Sequence, residues 1–308
     1  MKIFLKKFFV FCSIFLVVSV IAILLPATPK TSKSLLFALK DKDQLLNQTK
    51  KNRIIFIGGS NLSFGLNSEL LKDSLHLNPI NTSIHAGIGL KFMINHYKSF
   101  IDSNDIIVLV PEYTQYFDNT ANGGEALFRL IFDVNLSEIS QLDYAQIKQI
   151  VKFFPKFAIS KFNPSEYIFE KNNELRIYDR SSFNEFGDAV AHWGDTVKTF
   201  ETENLNESKL NNDVFLMIQE FSNYVKFKNA RLFVSFPCYD LSSFKKNSSE
   251  INLIYQNLLK TEVSLLGSPE QFSFVRQYNY NSPYHLTFLG ANKRTTLLIK
   301  LIQEKLAK

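Results

Sequence analysis

Residues Arg53 to Leu71 read RIIFIGGSNLSFGLNSELL. Arg53–Ile57 is a short apolar, β-branched run, the pattern of a buried strand. Gly58-Gly59-Ser60-Asn61 stops it. From Leu66 to Leu75 the spacing becomes helical, with Asn67 or Ser68 as N-cap. A serine thus follows two glycines where a buried strand ends and a helix is about to begin.

The same rhythm continues downstream. Asn81–Ile84 reads as a weak strand leading into His85-Ala86-Gly87-Ile88-Gly89. Leu90–Ile101 has helical periodicity through Leu90, Met93, Tyr97 and Ile101. Ile106–Val110 is an unbroken apolar run, typical of a strand covered on both faces. This alternation is the grammar of a parallel sheet in an α/β domain. After Pro111 the rhythm stops until about residue 205. That stretch is aromatic and polar, with one helix expected near 139–161. It reads as a cap inserted over the C-terminal edge of the sheet. The alternation then resumes: a helix through Val214 and Val225, a strand at Arg231–Phe236, and a helix over Ile251–Leu266. A short strand at Phe272–Val275 and a closing helix at Thr287–Leu306 complete it. Residues 51–308 are therefore expected to form one α/β domain with an insertion at about 112–205.

The first 25 residues stand apart. Phe8–Leu25 carries no charge and would span about 27 Å as a helix, close to a hydrocarbon core. Pro26-Ala27-Thr28-Pro29 follows without a convincing cleavage pattern, so the segment reads as an uncleaved anchor rather than a signal peptide. Lys2, Lys6 and Lys7 precede it. They favour a cytoplasmic N-terminus and an extracytoplasmic bulk, and they carry half of the formal net charge of +6. Residues 26–50 read as a juxtamembrane linker or a first surface helix. With no basic stripe and no zinc spacing, a nucleic-acid partner is not expected. Cys12 and Cys238 are the two cysteines. They can build no metal site, and a disulfide between them is not expected.

Ligands of open α/β sheets bind beyond the carboxyl ends of the strands, where Ser60 lies. Glycines before it permit a sharp, unobstructed turn, and a helix N-terminus favours developing negative charge. The position suits a nucleophile or a phosphate. A Walker loop fails because Leu66 follows Gly65. The dinucleotide glycine spacing fails as well, as does the Gly-x-Ser-x-Gly elbow, which has Leu62 in its last place. A serine nucleophile needs a base. Of the five histidines, His285 in NYNSPYHLTFLGANKRT follows the last short strand and precedes the last helix, so it can reach another strand end.

Ser60 in IGGSNLSFG, Gly87 in HAGIG and His285 in SPYHLTFLG resemble, in order and spacing, the motifs of the SGNH/GDSL hydrolases. The likeness is greatest to membrane-anchored envelope members, over roughly residues 53–110 and 230–305. It implies a three-layer α/β/α, flavodoxin-like fold. It also implies nucleophile Ser60, base His285, and an oxyanion hole including the N–H groups of Ser60 and Gly87. No cofactor is implied. The sequence departs from the family pattern twice. The third block has Pro111-Glu112-Tyr113 in place of an asparagine, and Ser282 stands where an aspartate should precede the histidine. Glu112 or Asp240 is then a candidate orienting acid; a backbone carbonyl behind the histidine is another arrangement. Asn61, Tyr113 and Trp193 are candidate substrate contacts. Asp188 and His192, in RSSFNEFGDAVAHWGD, have i, i+4 spacing but no further metal-ligand pattern. The expectation is a single-pass protein of a bacterial inner or cytoplasmic membrane, with its domain outside. It would be a serine esterase or O-acyltransferase acting on ester-modified envelope glycan, with envelope-biosynthesis membrane proteins as partners. The alternative is an inactive glycan-binding or assembly relative.

Overall fold

A computed structural model describes residues 1–168, 173–205 and 208–307. Helix α1 (Lys2–Leu24) is followed by two 3-10 turns and α2 (Ala38–Gln48). Next come β1 (Arg53–Gly58), α3 (Ser60–Ser63), α4 (Ser68–Leu75), β2 (Asn78–Asn81), α5 (Leu90–Lys98) and β3 (Ile106–Val110). The insertion holds α6 (Glu125–Arg129), α7 (Tyr144–Ile150) and α8 (Phe154–Lys161). The chain then forms α9 (Asp213–Phe227), β4 (Arg231–Ser235), β5 (Tyr239–Asp240), α10 (Leu241–Lys246) and α11 (Ser248–Leu259). It finishes with β6 (Ser264–Leu266), β7 (Ser273–Phe274) and α12 (Phe288–Leu306).

Five strands form one parallel sheet in the order β2-β1-β3-β4-β6. Every residue of β1 and β3 is buried, which requires helices on both faces. The α/β layering and parallel sheet expected from the sequence are thus present. From β1 the chain crosses to β2 on one side, then to β3 on the other. The crevice between the carboxyl ends of β1 and β3, paired through Gly58 and Val110, is the topological switch point. At the opposite end of these strands Arg53 grips Asp105, Nε to Oδ1 at 2.8 Å and Nη2 to Oδ2 at 2.5 Å.

Several elements differ from their sequence expectation. Of the two readings of residues 26–50, a linker or a first helix, the segment holds a helix, α2, but one that is packed rather than lying on the surface: Leu35, Leu36, Leu39 and Leu46 enter the core, and Lys42 donates to the carbonyls of Asn81 and Gly187, both at 2.7 Å. The second strand ends at Asn81 rather than starting there, because Pro79 and Ile80 pair with Ile54 and Ile55. The helix expected over 139–161 is broken into 3-10 turns, α7 and α8, with Pro155 one residue into α8. The helix expected to run to Leu266 stops at Leu259, and Ser264–Leu266 becomes the edge strand beside β4. The strand expected near Phe272 pairs with β5, outside the main sheet.

Candidate active site

The two glycines at the end of β1 let three segments converge. A Cβ on Gly58 would stand 2.5 Å from the Val110 carbonyl oxygen. A Cβ on Gly59 would stand 2.7 Å from Glu112 Oε1 and 2.9 Å from Ala86. Hydrogen is therefore the only side chain that lets Glu112, arriving from β3, lie against the turn. Ser60 opens α3, so its own N–H has no partner within that helix.

Glu112 takes up that space. Its Oε1 accepts the Ser60 hydroxyl at 3.0 Å and the Asn61 N–H at 2.9 Å. Its backbone N–H donates to Gln115 Oε1, and Gln115 Nε2 donates to the Ala86 carbonyl. Only 4% of Glu112 is exposed. Burial lifts its carboxyl to about 7, against the opposing pull of the Asn61 and Ser60 hydrogen bonds. Ser60 is thus bonded to a carboxyl group poised between its two protonation states near neutrality.

Asn61 is wholly buried. Its carbonyl accepts from Arg294 Nη1 at 2.6 Å, its Oδ1 from Arg294 Nη2 at 3.0 Å, and its Nδ2 donates to the Val110 carbonyl. These bonds make it a brace of the turn, out of a substrate's reach. Arg294 comes from α12 and has no exposed surface. Sequence reading missed it, although its lone charge among Ala291, Thr295 and Leu298 on the buried face of a helix was a signal.

His285 packs against Phe64, four residues after Ser60 and the C-cap of α3. The Leu286 N–H donates to the Phe64 carbonyl at 2.9 Å, and the His285 ring stacks on Phe64 at 4.4 Å. The Ser60 hydroxyl bonds Glu112 and not His285. Behind the imidazole stands Asn281, not an acid: its Oδ1 lies 2.8 Å from Nδ1, and its Nδ2 donates to the Tyr178 hydroxyl. The amide oxygen fixes Nδ1 as the protonated nitrogen and leaves Nε2 with a lone pair that makes no hydrogen bond among the described residues. Burial, with His192 and His85 nearby, pushes the imidazole down to about 3. Of the two candidate orienting acids, Glu112 faces Ser60. Asp240 caps α10 by accepting from the Ser243 N–H at 3.0 Å. Ser282 turns the loop, accepting from the Tyr284 N–H.

The Gly87 N–H is engaged by His85 Nδ1 at 2.9 Å. Tyr113 is fully buried and packs edge-on against Tyr239, in the floor beneath the site. Trp193 is half-buried and packs against Phe288 at 5.0 Å, beside the His285 loop. Asp188 and His192 do not share a helix. Asp188 accepts from Ser68 and Asn81, and His192 Nε2 donates to the Leu286 carbonyl at 2.8 Å. The latter bond positions the loop that carries His285.

No family model and no curated protein matches the chain. Among solved structures it is similar to an acetyl xylan esterase, Est2A, from the rumen bacterium Butyrivibrio proteoclasticus. The identity is 12% over 84% of this chain and 65% of that one, with a TM-score of 0.33. A likeness this distant says nothing about chemistry.

Proposed function

We propose that the chain is a Ser60-dependent acyl-transfer enzyme, an esterase or O-acyltransferase acting on ester-modified envelope glycan outside the cytoplasmic membrane. The observation that carries this reading is the 3.0 Å bond from the Ser60 hydroxyl to buried Glu112 at the sheet's switch point. Ionised Glu112 takes the hydroxyl proton as Ser60 Oγ bonds the ester carbonyl carbon. The Ser60 N–H stabilises the resulting oxyanion. The leaving alcohol departs with a proton from Glu112, and water or a glycan hydroxyl then resolves the acyl-enzyme. His285, neutral and with Nε2 making no hydrogen bond among the described residues, is a second candidate base. Envelope glycan as substrate rests on the N-terminal helix and on the motif resemblance.

A second reading, a non-catalytic glycan-binding relative, is favoured by one observation. The Gly87 N–H is already held by His85, which removes one donor from an oxyanion site. A short-chain acyl ester assay on the full chain in detergent separates the two. Turnover lost in Ser60→Ala, with the fold intact, supports the enzyme. Absent turnover with retained glycan binding supports the second reading.

A further inference from the structure

Helix α1 is long and apolar enough to cross a membrane, and Ala22 is its one buried residue. Its foot is fastened to the insertion. Lys161 Nζ donates to the Leu25 and Pro26 carbonyls at 3.2 and 2.9 Å and to Asp133 at 2.5 Å. The Thr28 hydroxyl donates to Glu166, and the Lys30 N–H to the Glu166 carbonyl. Helix α8 packs on α1. If α1 spans a bilayer, α8 sits at the depth where the chain leaves it.

The exposed side of this segment is apolar where water would select polar residues. Tyr144 and Ile147 lie three apart on α7 and Val151 caps its C-terminus, exposed by 79, 43 and 56%. Beyond the 3-10 turn at Val151–Phe153, Pro155 and Ile159 lie one turn apart on α8 and Phe162 caps it, all exposed, Ile159 at 71% and Phe162 at 51%. Side chains three and four apart lie on one face of a helix. Lys148 and Lys152 flank the stripe, exposed and without a carboxylate partner among the described residues. The carboxylates of the same segment are already paired: Glu125 with Lys156 and Arg129, Asp133 with Lys161, and Asp143 with Lys91. An apolar stripe flanked by lysines that meet no carboxylate among the described residues is the composition of a helix lying in the headgroup region of an anionic bilayer.

We infer that α7 and α8 form a membrane-docking surface, continuous with α1, whose apolar stripe enters the interface of an anionic bilayer. This rests on reading α1 as a membrane span. The same insertion also reaches the candidate site: Gly124, at the head of α6, donates its N–H to the Gly87 carbonyl at 2.9 Å.

The test is nitroxide labelling of the full chain in vesicles of phosphatidylcholine and phosphatidylglycerol. Cys238 is fully buried and stays unlabelled. Cys12, exposed on α1, reports the anchor in the parent protein; Ile159→Cys in a Cys12→Ser background reports the stripe. The expected result at both positions is a higher collision rate with oxygen than with a water-soluble nickel chelate. A lipid-like Cys12 with a water-like Ile159→Cys label overturns the docking surface and leaves the anchor standing. A water-like Cys12 removes the anchor itself, and the inference with it. Spin–spin broadening at position 159 that persists on dilution with lipid shows a second copy covering the stripe, and also overturns it.

Discussion

A carboxyl group kept dry beside a hydroxyl changes both chemistry and stability. Glu112 is lifted from 4.5 to about 7, chiefly by burial. Because the folded protein holds this proton more tightly than the unfolded chain, stability falls as pH rises from about 4.5 to about 7. The full cost, on the order of 3 kcal/mol, is reached above that window. Glu112→Gln should therefore raise the melting temperature at pH 8 and leave it nearly unchanged at pH 4.5, as read by calorimetry. Acylation of Ser60 should move the other way. Its rate in the parent protein should rise through pH 7 as Glu112 ionises, and that rise should vanish in Glu112→Gln. Were His285 the base, at about 3, the profile would already be flat from pH 5 upward. Arg294 acts through Asn61. Arg294→Lys keeps a charge but loses the two-pronged grip, and should slow Ser60 labelling at least tenfold, about 1.4 kcal/mol or more. The pH profile should keep its midpoint.

At the scale of elements, the strands that place Ser60 and Glu112 were legible because β1 and β3 are short, apolar and buried on both faces. The glycine turn was legible because nothing larger fits there. The edge strand Ser264–Leu266 was not: three residues carry too little pattern to interrupt the apolar spacing that continues from α11. The partners of the site residues were harder still. Arg294 meets Asn61 across 233 positions, and no local spacing encodes that; the Asn281–His285 and His85–Gly87 bonds span only four and two residues, but they depend on the exact turn each loop takes, which residue type and spacing do not specify. Glu112 was visible as a strand-end acid, but its partner, Ser60 rather than His285, depends on how closely two neighbouring strands approach. His96 shows the same limit in the scaffold. It bonds Asp43 through Nε2 and Glu138 through Nδ1, joining α2, α5 and the insertion. Burial lowers its proton affinity, but the bonds to Asp43 and Glu138 outweigh it and raise the imidazole to about 9. The stabilisation is complete below the unfolded value near 6.5 and is lost as pH rises through about 9. His96→Gln should cost on the order of 2 kcal/mol at pH 6, and denaturant titration should show the difference shrinking above pH 9.

At the scale of the whole molecule, the chain divides into an apolar N-terminal helix and an α/β body joined through Lys161 and Glu166. Lys161→Met removes the donor to both carbonyls at the foot of α1 and leaves Asp133 buried opposite an apolar chain. Limited proteolysis between α1 and α2 should accelerate, and the melting temperature should fall, because removing one partner of a buried ion pair costs about 3–5 kcal/mol. The body carries its candidate chemistry at the switch point of a parallel sheet, a location the strand order dictates. The claim on which the rest depends is that Ser60 is a nucleophile. Its most direct measurement is intact-protein mass spectrometry after treating the detergent-solubilised full chain with a fluorophosphonate at pH 8. The expected result is a single adduct, mapped to the peptide containing Ser60 and absent from Ser60→Ala. A folded protein that takes up no adduct, or an adduct that persists in Ser60→Ala, would contradict it.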